Sequence, residues 1–116
     1  MFGRWRFSVD SGDLTDGETS VRLEPQVGKL LAYFLCNQHR VISRDALITS
    51  VWGNRIVSDD AINRCVSILR QTLSPDDKNA YIETVVRKGY LAHFPPAANA
   101  FTRHLYINLL LYLFLK

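Results

Sequence analysis

The sequence predicts an α+β domain in which a small antiparallel sheet, three helices and a closing β-hairpin follow one another. Three observations carry this. Apolar residues alternate with polar ones over the first 23 positions, the period of a half-buried strand. They then recur at helical spacing in three blocks between Pro25 and Leu73. Strand-like stretches return on either side of Arg87-Lys88-Gly89. The chain of 116 residues is one compact domain in size, and its 47% apolar content is ample for a core.

Each element has a local reason. Trp5, Phe7 and Val9 alternate with Arg4, Arg6 and Ser8 in a first strand. Asp10 to Asp13, with Gly12, reads as a turn, and Leu14 opens a second strand. Asp16-Gly17 is a hairpin signal, after which Thr19, Val21 and Leu23 alternate again. Pro25 suits the first turn of a helix, where its missing N–H is not needed. Val27, Leu30, Leu31, Phe34 and Leu35 give that helix one apolar face, ending near Asn37. Ser43 is the next N-cap; Leu47, Ile48 and Val51 line a short second helix that Gly53 ends. The loop 53–57 leads to Ser58, the N-cap of a third helix, which Ser74-Pro75-Asp76-Asp77 stops. Tyr81 to Val86 is strand-like, Tyr90 to Phe94 returns, and Pro95-Pro96 closes the domain. Cys36 and Cys65 each lie within an apolar helical pattern and form no CxxC. They read as buried, reduced thiols in a reducing compartment, with a disulfide or metal site as the alternative.

The third helix, 58–73, is the most informative stretch. At roughly 100° per residue, Ile62, Cys65, Val66, Leu69 and Leu73 fall on one narrow apolar stripe. Asn63, Ser67 and Arg70 flank the stripe on one side, while Arg64 and Gln71 point nearly opposite it. Asp59 and Asp60 are confined to the first turn, where the helix dipole favours negative charge. A solvated helix face ordinarily mixes Glu and Lys. This one offers Arg, Asn, Gln and Ser, which hydrogen-bond both phosphates and base edges. Two helices in tandem, the second with such a face, make a helix-turn-helix, and a hairpin tipped by Arg87 and Lys88 makes a wing. The net charge of +3 and pI of about 9.1 suit an anionic partner without demanding one.

Several segments then share a family likeness. They are Leu23-Glu24-Pro25 through Leu30-Leu31, Arg40-Val41-Ile42-Ser43-Arg44-Asp45-Ala46-Leu47 with Val51-Trp52-Gly53 as a second helix, and Val66, Leu69-Arg70 and Leu73 in the third. Ile82-Glu83-Thr84-Val85 with Arg87-Lys88-Gly89-Tyr90 matches a wing. In this order they resemble the winged helix-turn-helix DNA-binding domain of the OmpR/PhoB type, over about Phe2 to Phe94. The resemblance implies a bacterial transcriptional regulator that binds double-stranded DNA sequence-specifically. Helix 58–73 would enter the major groove and the tip 87–89 a neighbouring minor groove. The loop 53–57 would face DNA or RNA polymerase, and pairs would sit head to tail on tandem half-sites. A preceding receiver domain is not expected, which would put control by phosphorylation in doubt. The layout is more similar to the one-component (ToxR/CadC-like) branch, in which a membrane span follows an N-terminal domain of this kind. Ser67 and Ile68 stand where basic residues are frequent in the family, implying a weaker or differently specified site.

Arg70 is the first candidate for base or phosphate contact, since arginine pairs bidentately with guanine, with about 1–3 kcal/mol of discrimination; the alternative is a surface ion pair. Asn63 and Ser67 lie on the same side, as base readers or as solvated polar residues. Arg64 and Gln71, further round, suit phosphates. Arg87 and Lys88 suit a narrow, electronegative minor groove or serve solubility alone. Tyr90 packs under the wing with its hydroxyl within reach of a phosphate. Arg44 lies beside helix N-terminal amides, a natural phosphate clamp. Trp52 resembles a position that meets the DNA backbone through its indole N–H, with a loop-anchoring role as the alternative. Arg55 faces DNA or polymerase.

Enzymatic motifs are missing: His39, His93 and His104 lack metal-ligand spacing, and there is no GxSxG, Walker A or GxGxxG. Neither catalysis nor a cofactor or metal is expected. The competing class is a protein-interaction adaptor on the same scaffold that has lost DNA binding. Residues 95–100 read as a linker and 101–116 as an apolar tail. Leu105 to Leu115 would cover about 16 Å as a helix, against a bilayer core of about 30 Å. It is therefore the start of a membrane span, a packing segment or an incidental extension. The N-terminus lacks the apolar stretch of a signal peptide. The expected location is the cytoplasm, with tethering to the inner membrane's cytoplasmic face under the first reading of the tail.

Overall fold

A computed structural model describes residues 1–95, which fall into two units, Met1–Arg22 with Phe94 and Pro95, and Leu23–His93. The tail and most of the linker lie outside the described residues. Among those described, no helix is long and apolar enough to cross a membrane.

The first unit is a three-stranded antiparallel meander of β1 (Arg6–Phe7), β2 (Asp13–Thr15) and β3 (Ser20–Arg22), in the order β1-β2-β3. Phe7 pairs with Leu14, and Leu14 with Val21. The Asp16-Gly17 turn forms as its sequence predicts: Asp16 Oδ1 accepts the backbone N–H groups of Glu18 and Thr19, and Gly17 takes φ +95°. Both N–H groups hold the Asp16 carboxyl below its ordinary pKa. Phe2 stacks edge-on against Phe94 at 4.8 Å. The strands are shorter than the alternation suggests. Val9 is exposed because the chain turns at residues 9–11, removing it from the pleat that would turn it inward.

In the second unit, α1 (Pro25–Cys36) packs on α3 (Asp59–Leu73). Val27, Leu30, Leu31 and Phe34 of α1 and the whole predicted stripe of α3 are buried. At roughly 1.5–3 kcal/mol for each large apolar side chain removed from water, this pair dominates the core. Cys65 is buried, but Cys36 is exposed, contrary to expectation. It stands nine residues after Val27, half a helical turn away from the stripe. Ser43 and Ser58 cap α2 (Arg44–Ser50) and α3 by accepting the N–H groups of Ala46 and Ala61. The second helix stops at Ser50, before Gly53; that glycine takes φ +61° and lets the Asn54 N–H return to the Ile48 carbonyl.

A strand unforeseen in the sequence, β4 (Val41–Ile42), precedes α2, so 40–42 is not part of that helix. It joins β5 (Ile82–Val85) and β6 (Gly89–Ala92) in the order β4-β6-β5. A two-residue strand leaves almost no periodicity to read. Its existence rests on Gly89, whose φ is +145° and whose missing side chain admits the Ile42 carbonyl. A Cβ there would lie 1.9 Å from that oxygen.

Candidate nucleic-acid interface

The N-terminus of α2, the polar side of α3 and the hairpin meet around Tyr90. Arg44, the first residue of α2, donates through Nη2 to Asn63 Oδ1 at 2.7 Å and to the Tyr90 hydroxyl at 3.1 Å. The Tyr90 hydroxyl in turn donates to Asn63 Oδ1 at 3.3 Å. Nη1 of Arg44 is buried, without a hydrogen-bond partner in the described residues, 3.6 Å from Asp59 Oδ1. Arginine has no acceptor, so the oxygen of Asn63 faces this cluster and its Nδ2 donors are left over.

Arg70 also belongs to this cluster, although it is turned onto the hairpin. Its Nε donates to the Ile82 carbonyl at 3.1 Å and its Nη2 to Thr84 Oγ1 at 2.7 Å. The guanidinium centres of Arg44 and Arg70 lie 5.6 and 5.7 Å from the Tyr90 ring centroid, within cation–π range. Half-burial of Arg70 lowers its pKa from the ordinary value, with Tyr90 acting in the opposite sense. The surface ion pair that was the alternative for Arg70 is replaced by bonds to a neutral carbonyl and hydroxyl.

The remaining candidates divide. Ser67 and Gln71 are exposed on α3. Arg64 forms a two-bond exposed pair with Glu24 at 3.2 and 3.3 Å, which raises its pKa. Such a pair is easily exchanged for another anion. Arg87 and Lys88 are exposed at the wing tip, with the Lys88 N–H donating to the Val85 carbonyl. Arg87 has φ 64°, a left-handed conformation uncommon for a side-chain-bearing residue. Arg44, Arg87 and Lys88 line a cleft of about 200 Å³ with Thr84, Val85, Gly89 and Tyr90. Trp52 is buried at 6% exposure, and its carbonyl accepts the Nε–H and backbone N–H of Arg55, the arrangement of the loop-anchoring alternative. Arg55 also reaches Gln26 Oε1, whereas Ile56 stands fully exposed in the same loop.

Sequence reasoning missed Thr84 and Asp59 as partners of the two arginines, and the Ile42–Gly89 approach that holds the hairpin. None leaves a local signal, because each pairs residues at least 14 positions apart.

Comparison with known proteins places these observations. Residues 17–92 match the family described as transcriptional regulatory protein, C terminal. The transcriptional activator CadC of Escherichia coli (strain K12) is 32% identical over 95 residues, covering 80% of this chain and 19% of that protein. The chain thus spans about a fifth of that relative's length. Among solved structures, the DNA-binding domain of E. coli CadC superposes with a TM-score of 0.74 at 31% identity, over 82% of this chain and 91% of that one. The Klebsiella pneumoniae RstA DNA-binding domain, solved in complex with the RstA box, gives 0.66 at 25% identity, over 79% and 93%.

Proposed function

The chain belongs to the family of transcriptional regulatory protein C-terminal domains, winged helices of the OmpR/PhoB type, and from that premise we propose that it binds double-stranded DNA and reads it with α3. The observation that carries the reading is the Arg44–Asn63–Tyr90 cluster, which joins α2, α3 and the hairpin beside a cleft lined by three cations. Arg44, Arg87 and Lys88 anchor phosphates, the tip entering a minor groove; Arg64 and Gln71 meet the backbone further along α3. Asn63 and Ser67 face base edges. Because Oδ1 of Asn63 is already taken twice, Asn63 acts through Nδ2 as a donor, toward guanine N7 or O6 or thymine O4. Bidentate pairing with adenine would need that oxygen. Arg70 holds the wing against α3 and so acts on DNA through the hairpin.

In the full regulator, the exposed Ile56 loop offers a surface to RNA polymerase, and copies sit head to tail on tandem half-sites. The domain works in the cytoplasm, with the apolar run 105–115 leading toward a membrane tether. These parts rest on the family likeness and on the sequence of the run.

The test is duplex binding by the wild type and by Lys88→Ala, Arg87→Ala and Asn63→Ala, on promoter-derived and random fragments across a salt series. The logarithm of affinity should fall linearly with that of salt, each lost phosphate contact reducing the slope by about 0.9. Asn63→Ala should narrow the gap between the two fragments. Lack of binding at low salt would overturn the reading in favour of the adaptor.

A further inference from the structure

We propose that His39 and His93 form a binding site for a divalent transition-metal ion of the zinc, nickel or copper class, with Glu83 positioning His93. The site stands on residues outside the Tyr90 cluster and does not rest on the DNA reading.

The two Nδ1 atoms face each other at 3.1 Å, with ring centroids 5.3 Å apart. A metal–nitrogen bond of about 2.0–2.1 Å separates two nitrogens by roughly 2.9 Å at a right angle and roughly 3.4 Å at a tetrahedral angle. The observed spacing lies between these. Imidazole nitrogen suits zinc, copper and nickel, and the exposed side of the pair leaves room for water ligands.

Both residues are fixed by their backbones. The His39 N–H donates to the Ala92 carbonyl at 3.0 Å and the His93 N–H to the Tyr81 carbonyl at 2.7 Å. His39 also holds a left-handed φ of 66°, which aims its ring from the α1–β4 turn. Glu83 Oε2 stands 3.9 Å from His93 Nε2, on the side away from His39. A carboxylate on the second nitrogen of a metal-binding histidine selects the tautomer whose other nitrogen keeps its lone pair. The neighbouring cation, Arg40, is engaged with Asn37 Oδ1.

Without metal, one proton bridges the nitrogens. Either ring serves as the donor across this contact, according to its tautomer. Metal binding takes both Nδ1 lone pairs, and the bridging proton passes through solvent to the Nε2 of the ring that held it. Two neutral rings therefore bind without net proton release. The histidines lie 54 positions apart, so the chain has no ligand spacing and only folding creates the pair. A bound ion would tie the α1–β4 turn to the strands of the wing.

The experiment is calorimetric titration of the full chain with Zn2+ and Ni2+, alongside thermal unfolding with and without each ion. The wild type should bind one ion per chain at neutral pH and unfold at a higher temperature when loaded. His39→Asn, which keeps a residue tolerant of the left-handed conformation, and His93→Gln should each weaken binding at least tenfold, and Glu83→Gln roughly tenfold. His104→Gln should bind as the wild type does. Wild-type affinity in both His39→Asn and His93→Gln would overturn the site. So would loss of binding in His104→Gln, or no saturable binding by the wild type.

Discussion

Replacing Arg70 by methionine separates a wing strut from a base reader. The substitution keeps an unbranched apolar stem, without the guanidinium, and removes two hydrogen bonds from a charged donor, to the Ile82 carbonyl and to Thr84 Oγ1. Such bonds contribute about 1.5–3 kcal/mol each, the low end applying to a half-exposed group. The contact with the Tyr90 ring adds about 0.5–1 kcal/mol. Thr84 is exposed and regains water, and the methionine stem retains part of the packing. The net loss should therefore be about 2–3 kcal/mol, or roughly 10–15 °C in Tm for a domain of this size. Thermal unfolding of Arg70→Met, Thr84→Val and the double variant gives the coupling directly, expected at about 1 kcal/mol or more. In fluorescence anisotropy the affinity of Arg70→Met for promoter and random duplexes should fall by the same factor, since a loosened wing affects both. A variant that unfolds like the wild type yet loses only its preference for one duplex would refute the strut and make Arg70 a base reader.

Three further outcomes follow from the same geometry. Gly89→Ala would press a Cβ into the Ile42 carbonyl at a φ that disfavours side chains, and should destabilise the domain by about 3 kcal/mol in a urea titration. A thiol-reactive probe should label Cys36 in the native protein and leave Cys65 until unfolding, because burial shields the Cys65 thiol and raises its pKa. Labelling of both at one rate would contradict this packing. Asp16 has a folded pKa below its ordinary 3.8, so its contribution to stability is present above that value and disappears as pH falls through the folded pKa. Asp16→Asn should therefore flatten the acid limb of the stability curve, measured by denaturation at several pH values.

Much of this architecture was legible in the chain because its signals are local. The stripe of α3 is buried residue for residue, since a helix repeats its face every few positions whatever it packs against. Ser43 and Ser58 cap as expected because a cap reaches only three residues ahead. Asp16-Gly17 and Arg87-Lys88-Gly89 turn the chain where their residue types predict. The positions of Arg44, Asn63 and Tyr90 were legible as candidates, though not their mutual hydrogen bonds.

What the sequence determined by itself is the order of the first sheet, the three helices and the hairpin, the buried stripe of α3 and the basic polar character of α3 and the wing tip. Tertiary structure alone decided how the polar atoms are assigned. It turned Arg70 from the solvent side of α3 onto Thr84 and Ile82, and withdrew Trp52 into the interior. It also occupied the oxygen of Asn63, created β4 by letting Ile42 approach Gly89, and set His39 against His93. The physical reason is range. Helical and strand periodicity are properties of neighbouring residues, whereas a long polar side chain settles on whichever acceptor the fold brings within about 3 Å, and that partner is distant in sequence.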